Sequence, residues 1–202
     1  MARGDKRDAI MRAAERLFTS RRFHEITLDE VAREAHVGKG TIYLYFRDKD
    51  DLFFQVATSG FDELCDRLRQ RVPGRAPFER QLLRACQAIN TFVRRRRHLF
   101  RMMQSEDVRM ALCRGRVHER WEERRRQITS AVTEIIRRGA DEGKVRTDVP
   151  PQVMAAFLLG MLRTLARDLE DEPDSIRRPE LVVELFMRGA GHADASVTTR
   201  AG

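Results

Sequence analysis

Apolar residues recur every three or four positions along almost the whole of this chain, and nowhere do they alternate with polar ones as along a strand. That period lays one apolar stripe on each of a series of helices and leaves their other faces charged. In residues 6–18 the stripe is Ile10, Ala13, Ala14, Leu17 and Phe18. In residues 150–170 it is Val153, Met154, Phe157, Leu158, Met161, Leu162 and Leu165. The chain is therefore expected to be all-α, with about nine helices. Composition agrees: 35% of residues are charged and 7% aromatic, a mix in which Arg, Glu and Leu favour helix.

Local signals mark where the helices begin and end. Thr27–Leu28–Asp29–Glu30 is a capping box, opening a helix that runs to Ala35. Asp48 caps another, whose stripe continues unbroken through Leu52, Phe53, Val56, Ala57, Gly60, Phe61, Leu64 and Leu68. It stops near VPGRAP at 72–77, the clearest break in the chain. Helices over 77–97 and 108–141 follow, with a short irregular piece to residue 105 between them, and Gly139 and Gly143 end the second. Pro150 and Pro151 open the next helix, where a missing N–H does no harm. The last, 178–190, carries Leu181, Val182, Leu185 and Phe186. The tail at 193–202 has too little apolar surface to order itself.

Several functions find no residues to support them. Cys65, Cys86 and Cys113 are far apart and odd in number, so neither a disulfide framework nor a zinc site is expected. The five histidines lie on different elements without metal spacing; no metal and no cofactor is assigned. There is no G-x-S-x-G, Cys/His pair or phosphate loop to support an all-helical enzyme. The start is charged, and the longest apolar run, Val153–Leu162, is too short to span a bilayer; no membrane partner and a cytoplasmic location are expected.

Net charge is +8 and the isoelectric point about 10.2, which favours a polyanionic partner. The excess is uneven: residues 1–50 hold 11 Lys/Arg against 9 Asp/Glu, whereas 93–126 hold 12 Arg against 5 acids. Charge alone leaves open a non-specific architectural DNA-binding protein. The run Arg94–Arg97 reads as a solvated helix end, since cations there offset the helix dipole.

The stretch HVGKGTIYLYF at 36–46 is more specific. On a helix, Ile42 and Phe46 fall on one side and can pack on the helices before them. The other side presents Gly40, Tyr43 and Leu44, with Lys39 and Thr41 at its margins. It follows Thr27–Ala35 across a three-residue turn, as a helix-turn-helix requires. A glycine lets backbone approach a phosphate or base edge closely. Lys39 can reach a guanine edge or phosphate, Thr41 a phosphate or thymine methyl, and tyrosine hydroxyls are phosphate donors. Thr27 and Lys49 sit at helix starts, whose N–H groups favour an anion.

These residues carry a resemblance. Leu17, Phe18, Phe23, Thr27, Val31–Ala32, Ala35, Val37, Lys39–Gly40–Thr41, Tyr43, Tyr45–Phe46, Lys49 and Leu52 resemble the amino-terminal domain of the TetR family of transcriptional regulators, over about residues 6–60. The resemblance implies a helix-turn-helix DNA-binding domain over 1–47 and a helical effector-binding and dimerisation domain over 48–192, with 193–202 a disordered tail. It implies DNA contact by Thr27, Lys39, Gly40, Thr41, Tyr43, Tyr45 and Lys49, with Ile42 and Phe46 holding the helix. It also implies a homodimer paired through the last two helices on a palindromic double-stranded operator, and release by an unknown small-molecule effector. Phe61, Phe92, Trp121 and Phe157 are the pocket candidates, as large apolar groups on helices that surround the pocket in relatives. His36, Gly38 and Arg22 depart from the family pattern, which usually has glycine, serine and glycine there.

Overall fold

The computed structural model describes residues 3–70, 76–102 and 115–190. The elements are α1 (Arg3–Ser20), a 3-10 turn (Phe23–Glu25), α2 (Leu28–Glu34), α3 (Lys39–Tyr43), α4 (Lys49–Ala57) and α5 (Phe61–Gln70). They continue with α6 (Phe78–Arg95), α7 (Arg97–Met102), α8 (Gly115–Asp141), α9 (Pro151–Arg167) and α10 (Pro179–Ala190). No β-strand occurs among the described residues. The expected tail at 193–202 and the expected first residues of the 108–141 helix lie outside the described residues.

The chain divides into two compact units, Met1–Phe61 with Arg96–Glu123, and Asp62–Arg95 with Arg124–Gly202. In the first, α1 packs on α2, α4 and α7, and α2 packs on α3. Its core is the sequence stripe of α1 (Ile10, Ala13, Ala14, Phe18) closed over Val31, Ile42, Phe46, Leu52 and Phe53. Three rings tie α1, the 3-10 turn and α4 together. Phe53 meets Phe18 edge-on at 5.1 Å and Phe23 at 5.3 Å.

In the second unit α6 packs on α9 and α10, which pack on each other. Leu82, Cys86, Val132, Ile135, Ile136, Ala155 and Leu158 are sealed in its core. Pro151 occupies the first turn of α9 as read.

Three expectations about elements need correction. The helix opened by Asp48 is two helices: Gly60 adopts φ +73°, a left-handed conformation that ends the α4 segment although the apolar stripe runs on. The piece after residue 97 is helical, as α7. Gly139 does not end a helix; it lies inside α8, where a Cβ would come within 2.5 Å of the buried Phe78 ring, so it is a close-packing position. Gly143, with φ +67°, does supply the terminating conformation.

Candidate nucleic-acid interface

Thr27 caps α2 as its sequence requires. Its Oγ1 accepts the Glu30 N–H at 3.3 Å, and the Glu30 carboxylate accepts the Thr27 N–H at 2.8 Å and its hydroxyl at 2.9 Å. Arg21, the residue directly after α1, closes the group by donating to Glu30 at 2.7 Å. The Arg21 guanidinium, then the Thr27 N–H and hydroxyl, hold the Glu30 carboxyl down at about 2. The hydroxyl proton of Thr27 is thus engaged, and can reach a phosphate only by leaving Glu30.

The turn between α2 and α3 is tight. His36 takes φ +54°, the left-handed region that favours glycine, at a cost of about 1–2 kcal/mol. Val37 N–H donates back to Ala32 O at 3.0 Å, and Gly38, extended, stands at the N-cap of α3 without a capping side chain. Arg22, by contrast, is in ordinary extended backbone at φ −70°, so the missing glycine there causes no strain.

A helix of five residues has no stability of its own. What holds α3 is the pair read from the sequence: Ile42 is fully buried and Phe46 is 1% exposed. The opposite face is bare. Tyr43 is 53% and Leu44 73% exposed, and a Cβ built on Gly40 would meet nothing within 4 Å. The fold has no need of glycine at that position. Thr41 is half-buried at the margin, and Tyr45 is half-buried against the core of the first unit.

Two lysines differ from their sequence reading. Lys39 is exposed but ion-paired with Asp29 at 2.8 Å, and that carboxylate raises its pKa. Lys49 is turned inward. Its ammonium donates to Phe23 O and Ile26 O, each at 2.9 Å, and lies 4.3 Å from the Phe23 ring centre. Burial lowers its pKa. Lys49 therefore pins the carbonyls around the 3-10 turn to the first turn of α4. That first turn is also already supplied with anions: Asp48 accepts the Asp51 N–H at 2.7 Å, with Asp50 beside it. Sequence reasoning left Leu44 out of the candidate set, although its place on the front of α3 was visible; Asp29, ten residues from Lys39, had no such signal.

The pocket candidates are divided between the units. Phe61 and Trp121 belong to the first, where Trp121 meets Phe54 edge-on at 4.8 Å; Phe92 and Phe157 belong to the second. Phe92 is half-buried against its core. Phe157 is 68% exposed, on the outward face of α9. No group of three or more His, Cys, Asp or Glu placed to hold a metal occurs among the described residues, and no helix among them is long and apolar enough to cross a membrane.

Two short helices across a tight turn, the second with a buried back and a bare front, define the helix-turn-helix class. Residues 10–56 match the family model described as bacterial regulatory proteins, tetR family, and residues 76–167 match the tetracyclin repressor-like, C-terminal domain. The HTH-type transcriptional regulator YhgD of Bacillus subtilis is 28% identical over 185 residues, covering 91% of this chain and 95% of that relative. The HTH-type transcriptional repressor AcnR of Corynebacterium diphtheriae is 24% identical, over 92% of this chain and 93% of its own. Among solved structures, the transcriptional regulator FadR from Bacillus subtilis in complex with stearoyl-CoA superposes with a TM-score of 0.76 at 17% identity, covering 90% of this chain and 97% of that one. The chain belongs to the TetR family of transcriptional regulators.

Proposed function

We propose that this protein is a homodimeric, cytoplasmic repressor that binds a palindromic operator through α3 and is released by a small-molecule effector. One observation carries the DNA reading: α3 buries Ile42 and Phe46 and leaves Gly40, Tyr43 and Leu44 bare, a front with no use inside the chain. Tyr43 supplies a phosphate donor, Leu44 an apolar contact for a thymine methyl, and Gly40 the room for close approach. Lys39 and Thr41 flank them, Lys39 exchanging Asp29 for a phosphate; Thr27 and Tyr45 contribute at the edge. Lys49 acts here by holding the 3-10 turn, with any DNA contact secondary.

Support for pairing comes from the last two helices. Val153, Phe157 and Leu185 are large apolar groups left exposed on α9 and α10, and a Cβ at Gly160 or Gly189 would meet nothing. A second copy seated there covers the apolar groups and uses the glycines for close helix approach. The effector reading draws on relatives: FadR was crystallised with stearoyl-CoA, and AcnR is a repressor. Phe61, Phe92 and Trp121 stay its ligand candidates, each within its own unit, and Phe157 is reassigned to the dimer face. Such a regulator does no chemistry, and the chain is not an enzyme.

Selection of bound duplexes from a random pool, followed by footprinting, tests the reading. A palindromic site should emerge, and Tyr43→Ala should weaken binding to it by about tenfold or more, within the 1–3 kcal/mol of a base or backbone anchor. The fold should be unchanged. A normal footprint from Tyr43→Ala removes α3 from the role; equal affinity for random and selected duplexes favours the architectural alternative.

A further inference from the structure

Asp51 lies in the first turn of α4, is 8% exposed, and gathers three donors. Its Oδ2 accepts the backbone N–H of Arg47 at 3.1 Å; its Oδ1 accepts from Gln55 at 3.2 Å and from the Arg120 guanidinium of α8 at 2.5 Å. Arg47 directly follows Phe46, the residue that anchors the exit of α3. Arg120 also lies 4.0 Å over the Phe54 ring, which its neighbour Trp121 meets edge-on. Two consecutive residues of α8 thus grip α4 at Asp51 and Phe54.

The remaining links return to α3. Gln55 accepts from Arg7 of α1 at 2.7 Å, and the Arg7 guanidinium lies 5.8 Å from the Phe46 ring centre. A circuit therefore runs Phe46, Arg7, Gln55, Asp51, Arg47, and returns to Phe46 through the chain. Every member belongs to residues 7–55. Arg120 reaches the circuit from α8.

We propose that Arg120, through Asp51 and the Arg47 N–H, positions the recognition helix for DNA. This rests on the DNA-binding reading above. The physical reason is the cost of leaving Asp51 without its cationic partner. A carboxylate that is mostly out of water needs all three donors, and two neutral ones do not replace a guanidinium. When Arg120 moves, Asp51 is drawn toward Arg120 or toward water, and Arg47 moves with it. Burial pushes the Asp51 carboxyl up, but Arg120, the Arg47 N–H and Gln55 outweigh it and hold it below its ordinary range, as expected for a carboxylate kept charged. Neither Asp51 nor Arg120 lies on the bare front of α3, so both are positioning residues.

The test uses the full-length protein and the duplex that the wild type selects from a random pool, with a random duplex of equal length beside it. Asp51→Asn removes a negative charge and Arg120→Gln a positive one. If the two acted only through charge, they would shift affinity in opposite directions. We expect both to weaken binding to the selected duplex by about tenfold or more, and their double variant to be no worse than the worse single, the mark of one shared interaction. Arg120→Lys, which keeps the charge but loses the flat stacking group, should recover part of the loss. Amide exchange over residues 44–51 should quicken in Asp51→Asn and Arg120→Gln at a temperature where circular dichroism shows each protein fully helical. If Asp51→Asn does not fold, the two Arg120 variants carry the same comparison. Wild-type affinity in the single variants, or additive losses in the double, overturns the proposal. A wild type that selects no sequence overturns the DNA-binding reading and this proposal together.

Discussion

Gly40 sits in the middle of α3 with open space where a side chain would be. Glycine inside a helix costs about 0.5–1 kcal/mol relative to alanine, and no neighbour repays it. Gly40→Ala is therefore predicted to raise the melting temperature by about 2–4 °C and to weaken operator binding on the order of tenfold. Melting and binding measured on one preparation check it; unchanged binding would leave Gly40 without a role in DNA approach. Single residues were legible in the sequence where their surroundings are local. Ile42, Phe46 and Tyr43 take the faces that helical geometry alone assigns. Lys49 did not, because the carbonyls that capture it lie 23 and 26 residues earlier. Lys39 is similar: its partner Asp29 sits on another helix.

At the scale of elements, α2 depends on its first turn. The Thr27–Glu30 box satisfies amide groups that would otherwise lack partners, and Arg21 fastens it to α1. The Glu30 carboxyl falls from its ordinary 4.5 to about 2 on folding. A depressed carboxyl stabilises the fold above its unfolded value, and that contribution is lost as pH falls through the folded value. Glu30→Gln should thus lower the urea midpoint at pH 7, with the gap to wild type narrowing below about pH 4.5 and closing near pH 2. A gap independent of pH would show that the carboxylate charge is not what holds the box. Caps, proline starts and apolar stripes all lay in the sequence. The break at Gly60 did not show, because the stripe runs on through it and only φ distinguishes a glycine continuing a helix from one ending it.

For the whole molecule, the exposed apolar groups of α9 and α10 set the expected assembly. Burying a Phe or Leu side chain yields about 1.5–3 kcal/mol, and a twofold interface counts each residue twice. Phe157→Glu and Leu185→Glu should each raise the dimer dissociation constant by at least about a hundredfold. Light scattering across a dilution series reads this directly, and operator affinity should fall with the dimer. A dimer that persists in both variants would place the pairing surface elsewhere. Charge is a poor guide at this scale: the excess is carried by the stretch 93–126, outside the sequence of α3, whose front is nearly neutral in composition.

The sequence by itself determined the helical class, most helix starts, and the two faces of α3, because periodicity and capping act over three or four residues. Only the tertiary structure decided which charges are already engaged: Lys39 with Asp29, Lys49 with two carbonyls, Asp51 with Arg120. The physical reason is distance along the chain. An ion pair across 10 or 69 residues exists only once the helices have packed, and nothing in the local spacing of either partner records it.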